Sequence, residues 1–222
     1  MKRKNRIIIS AVFICIVCFM FLYSPYRNGW ECKKFLWGMK LEGPDGLRLS
    51  SINFDREEEN FSIWYDVPGE VSNNLGEILA SKEVIEKLLS ECCEIPKEFS
   101  ILIGFATRGD TIMFSNSVSA EVDMTKEEPM RGGYQLSEVV IHVPCDLADL
   151  SVLKDVKYLY LLYGTEINGI KGLENMHDLL YIRLTGFPGK VTSDKTFTED
   201  EIQEIKKIYP NCYIDCYPVD TY

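Results

Sequence analysis

Histidine is almost missing from this 222-residue sequence, which holds only His142 and His177. Outside an N-terminal apolar run there is also no Cys-x-x-Cys pair, and a closed zinc site needs such clustered sulfur and imidazole donors, so no metal is expected. The sequence lacks G-x-S-x-G, H-E-x-x-H and a glycine-rich phosphate cradle; Arg131-Gly132-Gly133 follows no convincing strand. Acidic neighbours such as Glu57 and Glu59, or Glu199 and Glu201, lie in charged runs that read as solvated faces and not as a glycosidase pair. These absences predict no catalytic residue, no cofactor and no enzyme. Long Ser, Gly, Gln or Pro tracts are missing too, which excludes a disordered chain. Positive charge is scarce: 24 Lys and Arg face 34 Asp and Glu, and Lys2, Arg3, Lys4 and Arg6 all precede the apolar run. The remainder carries 20 against 34, a net charge near −14, which argues against nucleic acid and would steer a basic partner inward. Plain solubility is the simplest use of such a charge.

What is present begins with Ile7 to Tyr23, 17 consecutive positions in which Ser10 is the one mildly polar residue. At the helical rise this run spans roughly 26 Å, enough for a thin bilayer. No small-x-small cleavage site follows around Leu22, Tyr23 and Ser24. Neither Cys15 nor Cys18 has the small preceding residue of a lipoprotein signal. The run is therefore read as an uncleaved transmembrane helix. The basic cluster before it places the N-terminus in the cytoplasm and the body outside, against a weaker opposing set of Arg27, Lys33 and Lys34. The expectation is a single-pass cell-membrane protein with an extracytoplasmic body. Six of the eight cysteines lie beyond the run: Cys32, Cys92, Cys93, Cys145, Cys212 and Cys216. An exported body allows one or two disulfides, among 15 possible pairings that sequence cannot choose between.

Four segments follow: 1–24 as basic tip and anchor, 25–46 as linker or flap, 47–133 as a small α+β unit, and 134–222 as a repeat domain. In the second unit Leu47, Leu49, Ile52 and Phe54 face Phe61, Ile63 and Tyr65 across the acidic turn 56–60, as in a hairpin. Leu75, Ile78, Leu79, Val84, Ile85, Leu88 and Leu89 then make a helical stripe over 74–93, with a break expected near Ser81 and an end at Pro96. Two more strands, 99–105 and 111–115, flank Thr107-Arg108-Gly109-Asp110, whose Gly-Asp is ordinary turn chemistry although the Arg-Gly-Asp string also matches an adhesion tripeptide. The unit is expected to pack on the first repeat and cap it.

The strongest pattern is internal. Leu147, Leu150, Leu153, Val156, Leu159 and Leu161 reappear 23 residues later as Ile170, Leu173, Met176, Leu179, Ile182 and Leu184. Steps of three followed by a step of two mark a winding segment that enters a strand. An earlier strand, Leu136-x-x-Val139-x-Ile141, precedes by 20. Near the end, Ile202, Ile205 and Ile208 make a helix behind a Thr198/Glu201 capping box, and 210–214 enter a last strand. Over about 134–216 this order resembles the leucine-rich-repeat family, which implies a short solenoid of stacked parallel strands and hence an α/β fold for the whole. The resemblance departs at one point: where family members carry a turn asparagine, this sequence has Pro144, Gly164 and Phe187.

Alternation then puts Glu138, Val140, His142, Tyr158, Tyr160, Leu162, Tyr181, Arg183 and Thr185 on the strand face opposite the leucines. Tyrosine offers a rigid apolar body with a polar tip, so Tyr158, Tyr160 and Tyr181 with Arg183 form the best candidate patch. Leu162, Thr185, Glu138 and His142 surround it. The bland alternative is that the tyrosines are roofed over. His142 inside Val139–Val143 reads as a half-buried neutral ring and His177 as surface. The reading is a membrane-anchored, non-enzymatic module binding a protein or peptide. Two alternatives are an acidic inhibitor or immunity-type protein that neutralises a basic partner, and a hydrolase hidden in the α+β unit.

Overall fold

A computed structural model describes residues 47–91, 95–107, 109–118, 130–143, 145, 147–162, 171–185 and 199–217. The expected anchor, the 25–46 linker, Ile170, Thr198 and the turn positions Pro144, Gly164 and Phe187 lie outside these residues. No helix among the described residues is long and apolar enough to cross a membrane.

The fold is mixed α/β around one sheet of eight strands. Strands β1 (Arg48–Asp55) and β2 (Asn60–Asp66) form the expected hairpin, Ile52 opposite Ile63 and Phe54 opposite Phe61. The helix α1 (Leu75–Glu91) follows, and β3 (Ser100–Thr107) then lies parallel to β2. A parallel neighbour requires a crossover, and α1 supplies it. The expected break at Ser81 does not occur. Its hydroxyl donates to the Ile78 carbonyl at 2.6 Å inside a continuous helix, so a polar residue is satisfied within its own turn. β3 turns into β4 (Asp110–Ser115), with Thr107 paired to Asp110 and Gly109 at φ +108°. A two-stranded ribbon, β5 (Ser117–Val118) and β6 (Met130–Arg131), leaves the main sheet here. Asn116 anchors that departure: it is buried, its Oδ1 accepts from Ile101 N at 2.7 Å and its Nδ2 donates to Phe99 O at 2.9 Å.

β7 (Glu138–Ile141) pairs antiparallel with β4, setting Val139 opposite Phe114 and Ile141 opposite Ile112. The sheet therefore runs without interruption across 133/134. Beyond it three strands join in parallel: β8 (Tyr158–Leu162), β9 (Tyr181–Thr185) and β10 (Tyr213–Tyr217). In register, Glu138 faces Tyr158, Tyr158 faces Tyr181, and Tyr181 faces Tyr213. Each strand opens with bonds to the strand before it. Ser137 O accepts from Lys157 N and Tyr158 N, Lys157 O from Leu180 N and Tyr181 N, and Leu180 O from Tyr213 N.

Between these strands the chain winds through short 3-10 turns at Leu147–Val152 and Leu173–Asn175, which pack on each other, the first also on α1. Leu147, Leu150, Leu153, Val156, Leu173, Met176 and Leu179 are all buried, as the steps of three require. Gly172 makes the stacking possible. A β-carbon there would stand 2.1 Å from Leu147 O, and its φ of +109° suits glycine. The last helix, α2 (Glu199–Ile208), carries Glu199, Asp200 and Glu201 in its first turn and Lys206 and Lys207 in its last, in the sense its dipole favours. After it, the Tyr209 hydroxyl donates to the Leu173 carbonyl and ties the final unit to the preceding one. One hydrophobic core takes in residues from Ile52 to Cys212, including Leu159 and Ile182, both fully buried.

Candidate functional site

The second face of the sheet carries its own small cluster, separate from the core: Tyr158, Tyr160 and Tyr181, with Val140 against them. Two rows of residues cross this face. One runs Glu138, Tyr158, Tyr181, Tyr213; the other runs Trp64, Gly104, Met113, Val140, Tyr160, Arg183, Asp215. Gly104 belongs where it is because the Trp64 indole lies directly over it, 2.3 Å from where a β-carbon would stand.

Of the residues expected at the site, Glu138, Val140, Tyr158, Tyr160, Tyr181 and Arg183 fall on this face by register, His142 follows β7, and the structure grades them by exposure. Tyr158, Tyr160 and Tyr181 are nearly closed off, at 7, 8 and 7% exposure, so their rings are packing first. Arg183, Glu138 and His142 are half-buried. Leu162 pairs with Thr185, and the side chains of both lie outside the described residues. Tyr160 and Tyr181 approach at 5.4 Å between ring centroids, and Tyr181 stacks on Tyr213 at 5.8 Å with planes 8° apart. The ladder therefore advances one strand at a time to the last strand of the sheet. Tyr213, its end, is 66% exposed.

Polar groups fix the ladder. The Tyr181 hydroxyl donates to Asp215 Oδ2 at 2.7 Å, and Arg183 Nε lies 3.3 Å from the same oxygen. Burial and the Asp215 carboxylate both push the Tyr181 phenol above its ordinary range, so it stays protonated and keeps donating. Glu138 sits where burial raises its carboxyl to about 7, the Tyr160 hydroxyl pulling the other way. Burial lowers His142, which keeps that ring neutral, and His177 is exposed. No protein-family model, no curated protein and no solved structure matches this chain.

Tyr213 and Asp215 were not among the residues singled out from sequence. Their signal was the alternation Tyr213-x-Asp215 in a last strand, but 32 residues separate Tyr181 from Tyr213, outside the 23-residue repeat. Among the described residues no cluster of His, Cys, Asp and Glu is placed to hold a metal. Cys212 is a buried thiol that burial raises to about 11, so it is protonated and unreactive at neutral pH. Clefts also open on the surface formed by the described residues. One of about 310 Å³ lies between α1 and the Leu147–Val152 turn, lined by Leu79, Ala80, Lys82, Glu83, Val152 and Lys154 among others. Another, of about 380 Å³, lies at the start of β9 and β10 and includes Leu180, Ile208, Tyr209 and Pro210.

Proposed function

We propose that this chain is a non-enzymatic protein-interaction module of leucine-rich-repeat type, held at the cell membrane through residues 7–23 with its body outside the cytoplasm. The repeat reading is supported by the parallel stacking of β7 to β10 with Val139, Leu159 and Ile182 adjacent in register and buried beneath them. The interaction reading rests on one observation: a tyrosine ladder held by Asp215 ends in a ring, Tyr213, that is two-thirds exposed. Tyrosine at the surface loses little conformational freedom on binding, presents a broad apolar face and is over-represented among residues that dominate interfaces. The partner is a protein or peptide, and the site needs neither metal nor cofactor.

Affinity capture from solubilised membranes with the tagged full chain tests this. Wild type retains a specific partner, and Tyr213→Ala loses it while its melting temperature stays within about two degrees, because an exposed ring contributes little to folding. Equal retention by the variant would remove the ladder from the binding surface. Affinity that collapses with added salt would instead favour the acidic inhibitor of a basic partner.

A further inference from the structure

Strands at the two ends of the sheet differ in how they protect their outer edges. β1 has a register shift between Leu49 and Ser51 and is set with Arg48, Ser50, Ser51, Asn53 and Asp55. Bulges and polar side chains of this sort discourage another strand from adding on. β10 has neither device: all five of its residues pair regularly with β9, it contains no proline, and its one charge, Asp215, is bound to Tyr181 and Arg183 on the second face. Among the described residues no strand pairs with its outer edge. Among the described residues Tyr213 is the most exposed large apolar side chain, at 66%. Leu180 at 44% and Ile208 at 40% line the cleft at the start of β9 and β10, and Tyr213 N donates to Leu180 O.

We infer that β10 is the docking edge for an extended, net-basic segment of a partner protein, which adds as a ninth strand and lays alternate apolar side chains against Tyr213. This deepens the interaction reading and rests on it. Adding a strand satisfies the outward N–H and C=O groups, while side-chain alternation supplies selectivity. The charge of the occupant follows from the field of the body, near −14, which favours basic chains. A second copy fits poorly. Two such bodies repel, and a symmetric antiparallel pairing centred on the middle of β10 sets Asp215 opposite its own copy.

The test uses the full chain in mild detergent and a fluorescein-labelled decapeptide alternating valine or tyrosine with lysine, read by anisotropy. Binding is expected, with about fivefold loss for Tyr213→Ala. A more than tenfold loss is expected when the peptide is N-methylated at every second residue on the side facing β10. Replacing its lysines by glutamate should weaken binding at low salt, with the difference shrinking at high salt. No binding, equal binding of the methylated peptide, or equal binding of the glutamate peptide overturns the inference. So does a solution dimer of the full chain that Tyr213→Ala disperses, since the edge would then belong to a second copy. Capture of a partner that depends on Tyr213 but is untouched by competing peptide would sink the edge inference alone and leave the interaction module standing.

Discussion

Asp215 Oδ2 accepts from the Tyr181 phenol and forms an ion pair with the Arg183 guanidinium, and all three side chains are at least half withdrawn from water. Hydrogen bonds to a charged group contribute about 1.5–3 kcal/mol each way they are counted, so Asp215→Ala should cost about 2 kcal/mol in chemical denaturation. Tyr213→Ala, one strand position away in the ladder but exposed, should cost under about 0.5 kcal/mol in the same experiment. The two results together separate the clamp from the contact ring. Glu138 gives a pH signature. Its folded value, about 7, lies above the ordinary 4.5, so the fold binds its proton more tightly than the unfolded chain does. Its contribution is fully present below 4.5 and is lost as pH rises through 7. His142 is lowered and acts in the opposite sense, losing stability as pH falls. The difference between wild type and Glu138→Gln isolates the first: the variant should gain on wild type steadily from pH 5 to pH 8, and a constant gap would show that Glu138 titrates normally. At this scale the strand alternation made Tyr158, Tyr160, Tyr181 and Arg183 legible in the sequence. That the tyrosines are closed off stood there only as the alternative, because exposure depends on neighbours that a periodic pattern does not specify.

Among the elements, the winding segments were legible because a step of three is a local property. Leu147, Leu150, Leu153 and Val156 had to share one side however the rest was arranged, and all are buried. The hairpin of β1 and β2 was legible for the same reason. What escaped was pairing at a distance. Nothing in 47–115 announces that β2 and β3 run parallel, because direction is set by where α1 returns the chain and not by the residues of either strand. Ser81 misled in the other direction, since a residue of poor helical propensity is harmless when its hydroxyl reaches back to Ile78. Gly172 is the position where a single atom decides the element. Gly172→Ala puts a β-carbon against the Leu147 carbonyl and holds alanine at a positive φ, and should destabilise by about 2 kcal/mol or more. Thermal melts check this, and a variant as stable as wild type would mean that the two turns do not stack as described.

The whole molecule raises the question of cooperativity. The composition and periodicity of the sequence change near 133, which suggests two units, yet β4 and β7 pair across that point with Phe114 against Val139 and Ile112 against Ile141, all four buried. Lys82 and Glu86 of α1 strengthen the junction: the two form an ion pair at 2.7 Å, and the same Glu86 oxygen accepts from Leu136 N at 2.7 Å just ahead of β7. A split here would expose apolar side chains of β4 and β7 and leave the backbone groups on their facing edges without protein partners. The cost exceeds what either half gains by opening alone, so the body should unfold as one unit. Native-state hydrogen exchange provides the measurement: the slowest amides of Ile101–Phe105 and of Leu159–Leu161 should report the same opening free energy. Phe114→Ala, a large-to-small change in the core expected to cost about 3–5 kcal/mol, should lower both by equal amounts. Protection that survives in β8 and β9 after β2 and β3 have opened would mean that the repeats fold independently, with the sheet joined only in the final assembly.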